Sequence, residues 1–296
     1  MTGTAETAGT LTDAVLDVAG ARIHFDVRGT GPLLVLVGSP MGADGFAATA
    51  ALLAPDHTVV TFDPRGTGRS PVDDVDADSP VPLRAADLAA LVEHLGQGPA
   101  TLFGSSGGAV VSLALLQARP ELVHAVVAHE PPLQELLPDA AARRATTDEM
   151  VRRYREQGAG AAWALFMEAA NLPVGPPAAD PTEGPGDGPG ETAATGLPGA
   201  DGPDPDQERQ AADERHFFLH EMRETVRWVP DLDALRGRRV AVGIGADSDD
   251  QLCDLTSRAL ADRLGVTPER FPGGHIGFME DPAAFDARLR EVLARL

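Results

Sequence analysis

The run "LFGSSGGAVV" at residues 102–111 leaves one apolar stretch, crosses Gly-Ser-Ser-Gly-Gly and enters a second apolar stretch. The preceding "ATLF" (100–103) has the character of a buried strand, and the following "GAVVSLALLQARP" (108–120) that of a helix. Between them, residues 104–108 fit Gly-x-Ser-x-Gly with Ser106 at the centre. A sharp strand-to-helix turn needs small residues where the chain passes close to its neighbours. It leaves the central hydroxyl exposed above the sheet, beside a helix N-terminus whose free amides favour developing negative charge. The pattern therefore predicts Ser106 as a nucleophile, with Ser105 one residue out of register and aimed elsewhere.

Outward from this turn, strands and helices alternate. "AVLDV" and "RIHFDV" joined by Ala-Gly read as a β-hairpin. "LLVLV" (33–37), "TVVTF" (58–62), "AVVA" (125–128) and "VAVGI" (240–244) are continuous apolar runs, the mark of strands buried on both faces; "PERF" (268–271) is a further candidate. In "LRAADLAALVEHLG", Leu88, Leu91, Val92 and Leu95 share one helical face and Gly96 is a stop. In "DPAAFDARLREVLARL", Asp281 caps and Pro282 opens a helix. This order predicts an α/β fold with a mostly parallel, doubly wound sheet.

The alternation stops between about 131 and 230. "VRRYREQGAGAAWALFMEAANL" and "DERHFFLHEMRETVRWV" read as helices with no strand between them. They flank residues 173–206, an acidic Pro/Gly-rich segment whose composition predicts a mobile linker. Residues 1–11 read as a disordered N-terminus. The chain thus divides into a core at 12–135 and 231–296 and a helical cap at 136–230.

Composition narrows the function classes. The 296 residues include 24 basic ones, all Arg, against 45 acidic ones, a formal net charge of −21. Such a surface repels nucleic acids and anionic membranes, so neither is expected as a partner. No apolar run approaches the roughly 20 residues that span a bilayer, and the first residues lack a signal-peptide pattern; a cytoplasmic location is expected. The single Cys253 reads as a small buried hydrophobe, and one cysteine can form neither an internal disulfide nor a cysteine cluster.

A serine nucleophile needs a base. Of the eight histidines, His275 stands out. It lies in "RFPGGHIGFMEDP", a glycine-rich loop between the last strand and the last helix, which gives it reach over the sheet edge. His216 and His220 in "HFFLH" have the i, i+4 spacing of metal ligands but no accompanying glutamate or third ligand, so no metal is expected there.

At these residues the chain resembles the α/β-hydrolase superfamily. "PLLVLVGSPMG" resembles the strand and loop carrying the first oxyanion-hole amide, "TFDPRGTGRS" (61–70) the loop after the next strand, and "FPGGHIGF" the histidine loop. The resemblance implies a capped serine hydrolase without cofactor, with Ser106 and His275 in the triad and the amides of Ser39 and Gly107 as the oxyanion hole. Val37-Gly38-Ser39 stands where the family often has His-Gly. Asp63 and Arg65 are expected to brace loops.

The triad's acid has two candidates. Members usually carry it after the strand "VAVGI", where counting from Gly245 reaches Ser248; Asp247 is adjacent. Others carry it one strand earlier, where Glu130 ends "VVAHEPPL". The expected reaction is hydrolysis of a small ester or lactone through an acyl-enzyme. Cofactor-free haloperoxidase or perhydrolase chemistry, carbon–carbon bond hydrolysis and non-catalytic ligand binding are the alternatives on the same fold.

Overall fold

In the run Leu33–Val37 (β3), alternate side chains belong to two different cores. Leu33, Val35 and Val37 pack on one face of a sheet, and Leu34 and Leu36 on the other. This follows from the two-residue period of a strand, and it shows why the run is apolar throughout. The computed structural model describes residues 12–172 and 204–296.

Eight strands form one sheet: Thr12–Val18 (β1), Ala21–Arg28 (β2), β3, Thr58–Phe62 (β4), Ala100–Ser105 (β5), Val123–His129 (β6), Val240–Gly245 (β7) and Glu269–Phe271 (β8). Their spatial order is β1-β2-β4-β3-β5-β6-β7-β8. β1 pairs antiparallel with β2, and β2 with β4; every pairing from β4 to β8 is parallel. The parallel strands put all their C-terminal ends along one edge, where α/β folds place their sites.

Helices cover both faces. On one lie Val81–Leu95 (α2) and Gly107–Ala118 (α3), packed through Leu88, Leu91, Val110 and Leu113. On the other, Ala47–Leu53 (α1) meets the C-terminal helix Pro282–Leu293 (designated α11) over an aromatic core of Phe46, Phe103, Phe271, Phe278 and Phe285. The expected cap at Asp281 is present: its side chain accepts from the Ala284 amide at 3.0 Å.

Between β6 and β7 the chain builds a helical insertion with its own small core of Met150, Val151, Ala162, Phe217, Phe218 and Met222. Its first stretch, expected as one helix, is two: Ala140–Gln157 (α4) and Ala159–Ala170 (α5). Gly158 separates them at φ 88°, a backbone conformation that favours glycine and ends a right-handed helix. The second stretch starts earlier than expected. Asp204 accepts from the Asp206 amide and Pro205 opens Pro205–His216 (α6), so residues 204–206, expected in the linker, instead start this helix. The expectations for residues 1–11 and 173–203 lie outside the described residues. After α6 comes a single π turn, Phe217–Glu221, and then Met222–Val226 (α7). Three further helices, Leu232–Leu235 (α8), Leu252–Leu264 (α9) and Gly277–Glu280 (α10), flank the last strands.

Candidate active site

Six parallel strands end along the C-terminal edge of the sheet. β5 runs into Ser106, which stands between the strand and α3 with φ 56° and ψ −124°. A non-glycine residue there is strained, and such strain persists only where the surroundings enforce it. Here the Ser106 amide donates to the His129 carbonyl at 2.9 Å, and its own carbonyl accepts from Ala109 at 3.0 Å. Gly108 lies against the Val37 carbonyl so closely that any side chain would collide with that backbone. The result separates the two serines: Ser105 is buried and Ser106 is half-exposed.

His275 sits in the loop after β8, and its Nδ1 lies 2.6 Å from Glu130 Oε2. Glu130 leaves the end of β6 at φ 52° with its side chain fully buried. Its other oxygen, Oε1, accepts from the Gly245 amide at 2.8 Å. Both carboxylate oxygens are thereby engaged. Asp247 is elsewhere: its side chain is exposed, while its amide and carbonyl serve the loop through Gly273 and Gln251. Of the two acid candidates, the fold brings Glu130 to the imidazole and leaves Asp247 in solvent.

The electrostatics of this pair follow from its burial. Burial alone raises the Glu130 pKa, but the hydrogen bond from His275 and the nearby rings overcome it and hold the carboxyl well below the ordinary range. Burial disfavours a charged imidazole, yet Cys253 and Glu130 outweigh it and raise His275 above the ordinary value of 6.5.

Cys253 corrects its sequence reading. It is half-buried, it lines the cavity beside Ser106, and its sulfur lies within 4.8 Å of donor atoms of both Glu130 and His275. Nothing in its flanking residues signals this, because Cys253 and His275 lie 22 positions apart and meet only where the start of α9 and the loop after β8 come together. Among the described residues, Glu130, Cys253 and His275 are the one trio that could gather round a metal ion, but Glu130 already has both oxygens hydrogen-bonded.

Ser39 and Gly107 meet at the mouth of the elbow, and both line the same cavity as Ser106 and His275. Gly107 is the first residue of α3, so its amide lacks an intrahelical acceptor. Ser39 is bonded to two residues that sequence reading passed over: it donates to Glu221 Oε1 in the π turn, and it accepts from Arg84 Nη1 at 2.8 Å. Arg84 hides on the buried face of an amphipathic helix and Glu221 at the end of a largely apolar π turn, with no motif around either.

The loop after β4 is braced as expected. Asp63 accepts from the Ala43 amide at 2.7 Å and from Arg69, and Arg65 makes a two-pronged buried pair with Asp87, both contacts at 2.6 Å. His216 packs over Gly66 of that loop, and His220 lies 3.2 Å from Asp78.

Above these groups is a cavity of about 420 Å³. Ser39, Ser106 and His275 form its floor, and Met150, Leu165, Phe166, Phe217, Met222 and Val226 of the insertion form its apolar wall. A site of this size and lining takes a small, largely apolar molecule and holds its polar end at the floor. No described helix is long and apolar enough to cross a membrane.

The chain is similar to known proteins in the same terms. It is 42% identical over 129 residues to YraK, an uncharacterized hydrolase of Bacillus subtilis (strain 168), a match covering 43% of this chain and 48% of that protein. It therefore spans about half the length of that curated relative. Among solved structures, a thermophilic esterase from Thermogutta terrifontis superposes with a TM-score of 0.67 at 19% identity, covering 97% of this chain and 98% of that one. Est816, described as an N-acyl homoserine lactone degrading enzyme, gives 0.64 at 18% identity, covering 94% and 99%. These two likenesses concern the fold. The family model for the α/β-hydrolase fold matches residues 31–282, from β3 to the start of the last helix, and the chain belongs to that family.

Proposed function

We propose that this chain is a serine hydrolase that cleaves a small ester or lactone through an acyl-enzyme. Ser106 attacks the acyl carbon while His275 takes its proton, and His275 then returns that proton to the leaving oxygen. Glu130 holds the imidazole in the tautomer with its free nitrogen toward Ser106 and stabilises the imidazolium. The amides of Ser39 and Gly107 receive the oxyanion, each such donor contributing about 3 kcal/mol in comparable sites. Water then repeats the cycle on the acyl-enzyme. The insertion between β6 and β7 acts as the cap, and its apolar wall holds the acyl or alcohol portion.

The single observation that carries this reading is a strained, half-exposed Ser106 sharing one cavity with a histidine bonded to a buried carboxylate. The test is a panel of p-nitrophenyl esters and lactones with wild type and Ser106→Ala, together with a fluorophosphonate probe read by peptide mass spectrometry. Turnover by wild type, loss by about 10⁴-fold or more in the variant, and labelling at Ser106 rather than Ser105 are expected. A variant with wild-type turnover ends the assignment. A wild type that binds these molecules without turning them over points instead to a ligand-binding protein.

A further inference from the structure

We propose that Glu221 and Arg84 are positioning residues for the oxyanion hole: together they clamp the Ser39 hydroxyl, so that the insertion sets the aim of the Ser39 amide. The inference rests on the serine-hydrolase reading above.

A serine hydroxyl has one proton to donate and lone pairs to accept with. At Ser39 the proton goes to Glu221 Oε1, and Arg84 Nη1 donates to the oxygen at 2.8 Å. The hydroxyl is thus committed to the protein, and the backbone N–H is the group of Ser39 left for the substrate. The two clamping residues also hold each other, with Arg84 Nη1 3.3 Å from Glu221 Oε1. Arg84 further donates through Nε to the Ser79 carbonyl at 3.0 Å and through Nη2 to Thr225 Oγ1 at 2.7 Å. Thr225 Oγ1 in turn donates to the Glu221 carbonyl at 3.0 Å. The ring of bonds closes, and every member of it is buried.

Three observations separate this from a mere anchor for the insertion. Docking the insertion needs only the Arg84 bond to Thr225, the Ser79 bond being local to the start of α2, yet the guanidinium and the carboxylate both also reach Ser39. Moreover, Glu221 Oε2 is buried with no partner among the described residues. A carboxylate that contributed only to fold stability would be expected to have both oxygens satisfied, because an unpaired buried oxygen carries its full desolvation cost. Glu221 also closes a π turn, a widened helical turn that recurs at functional sites.

The clamp bears on both candidate donors. A Cβ placed on Gly107 would lie 2.7 Å from Ser39 Oγ and 2.8 Å from the Ser39 carbonyl oxygen. The Ser39 side chain is therefore packed directly against the residue that carries the second amide. Loosening Ser39 changes the separation of the two N–H groups as well as the direction of one of them.

The test compares wild type, Glu221→Gln and the double variant Arg84→Met/Glu221→Met. For each, kcat and KM are measured on a p-nitrophenyl ester, with inhibition constants for a trifluoromethyl ketone and for the product carboxylate. The ketone forms a tetrahedral adduct whose oxygen needs the two amides; the product does not. For both variants, kcat is expected to fall by about 10- to 10²-fold, the scale set by an ångström of misplacement. The ketone should weaken by the same factor, while KM and product binding change little. If folded Glu221→Gln retains kcat and ketone affinity within about twofold, or only KM rises, the clamp is structural and the proposal falls. The double variant covers a failure of Glu221→Gln to fold, since replacing a buried ion pair by apolar groups is often neutral or stabilising; a folded double variant with wild-type kcat also overturns the proposal. Fluorophosphonate labelling of wild-type Ser106, measured alongside, separates the two readings: no labelling refutes the serine-hydrolase reading and with it this inference, whereas normal labelling with unchanged variants refutes this inference alone.

Discussion

Two carboxylates are buried beside the cavity, one supplied by the sheet and one by the insertion. Glu130 stands at the end of β6, and Glu221 closes the π turn before α7; both are all but removed from water. Burying an ionised carboxylate is unfavourable unless it is paired. Each is paired, but with different kinds of group. Glu130 meets an imidazole, which can gain and lose a proton during a reaction. Glu221 meets a hydroxyl and a guanidinium, which keep theirs. Burial and pairing alone therefore do not mark a catalytic acid. What distinguishes the two is whether the partner's charge can change. On the proposed reading, one carboxylate responds to chemistry and the other fixes where it happens.

The largest effect expected from this contrast lies at Glu130. Glu130→Gln keeps the size of the side chain and removes its charge, so the imidazolium loses its partner and the amide can hold the ring in the wrong tautomer. A fall in kcat of as much as about 10⁴-fold is expected, the scale seen when the acid of a comparable triad becomes an amide. Circular dichroism and the melting transition should stay those of a folded protein. Because this exceeds the 10- to 10²-fold loss expected at Glu221, the two substitutions made side by side would rank the carboxylates. An equal loss at both sites would erase the distinction drawn here.

A smaller effect, in pH rather than rate, lies at Cys253. General-base action needs a neutral imidazole, so the acid limb of kcat/KM follows the His275 pKa. That pKa is raised, so the limb should sit above the ordinary histidine value of 6.5. Cys253 is one of the groups that raises it, and Cys253→Ala should therefore move the limb to lower pH while leaving the plateau largely unchanged. A limb that stays in place on removal of the thiol would mean that Glu130 alone sets the imidazole.

Much of the core was legible because its signals are local. A five-residue apolar run such as Leu33–Val37 has few options but a strand buried on both faces, and Gly-x-Ser-x-Gly between strand and helix dictates a turn by sterics alone. His275 was legible for the same reason, as the histidine in a long glycine-rich loop after the last strand. The choice of acid was not local. It depends on which of two strand ends reaches the imidazole, and the two candidates, Asp247 and Glu130, are 117 positions apart in the chain. Cys253, Arg84 and Glu221 escape sequence reading for a related cause: none sits in a motif, and only tertiary packing brings Cys253 and Glu221 to the cavity and Arg84 to the Ser39 hydroxyl. The break at Gly158 and the start of α6 at Pro205 are local signals too, but apolar periodicity masks the first and acidic composition the second.

The smallest effect is expected at Asp247, and it is the control that gives the others meaning. Asp247 sits in the loop after β7, next to the position where the family usually keeps its acid. A sequence comparison by position alone would favour it over Glu130. Its carboxylate, however, is exposed, and the loop uses its main chain instead, through the amide bonded to Gly273 and the carbonyl bonded to Gln251. Asp247→Asn preserves those backbone bonds and removes one charge in water, where screening makes a single charge worth little. Turnover should therefore stay within about twofold of wild type, with the pH limb unmoved, as for a surface substitution away from the reacting groups. The alternative outcome has a specific meaning. A loss approaching that of Glu130→Gln would require the β7 loop to turn Asp247 inward when substrate binds, since it does not reach the imidazole in the conformation described. A crystal structure of the Ser106→Ala variant with an ester bound would then show Asp247, and not Glu130, on His275 Nδ1.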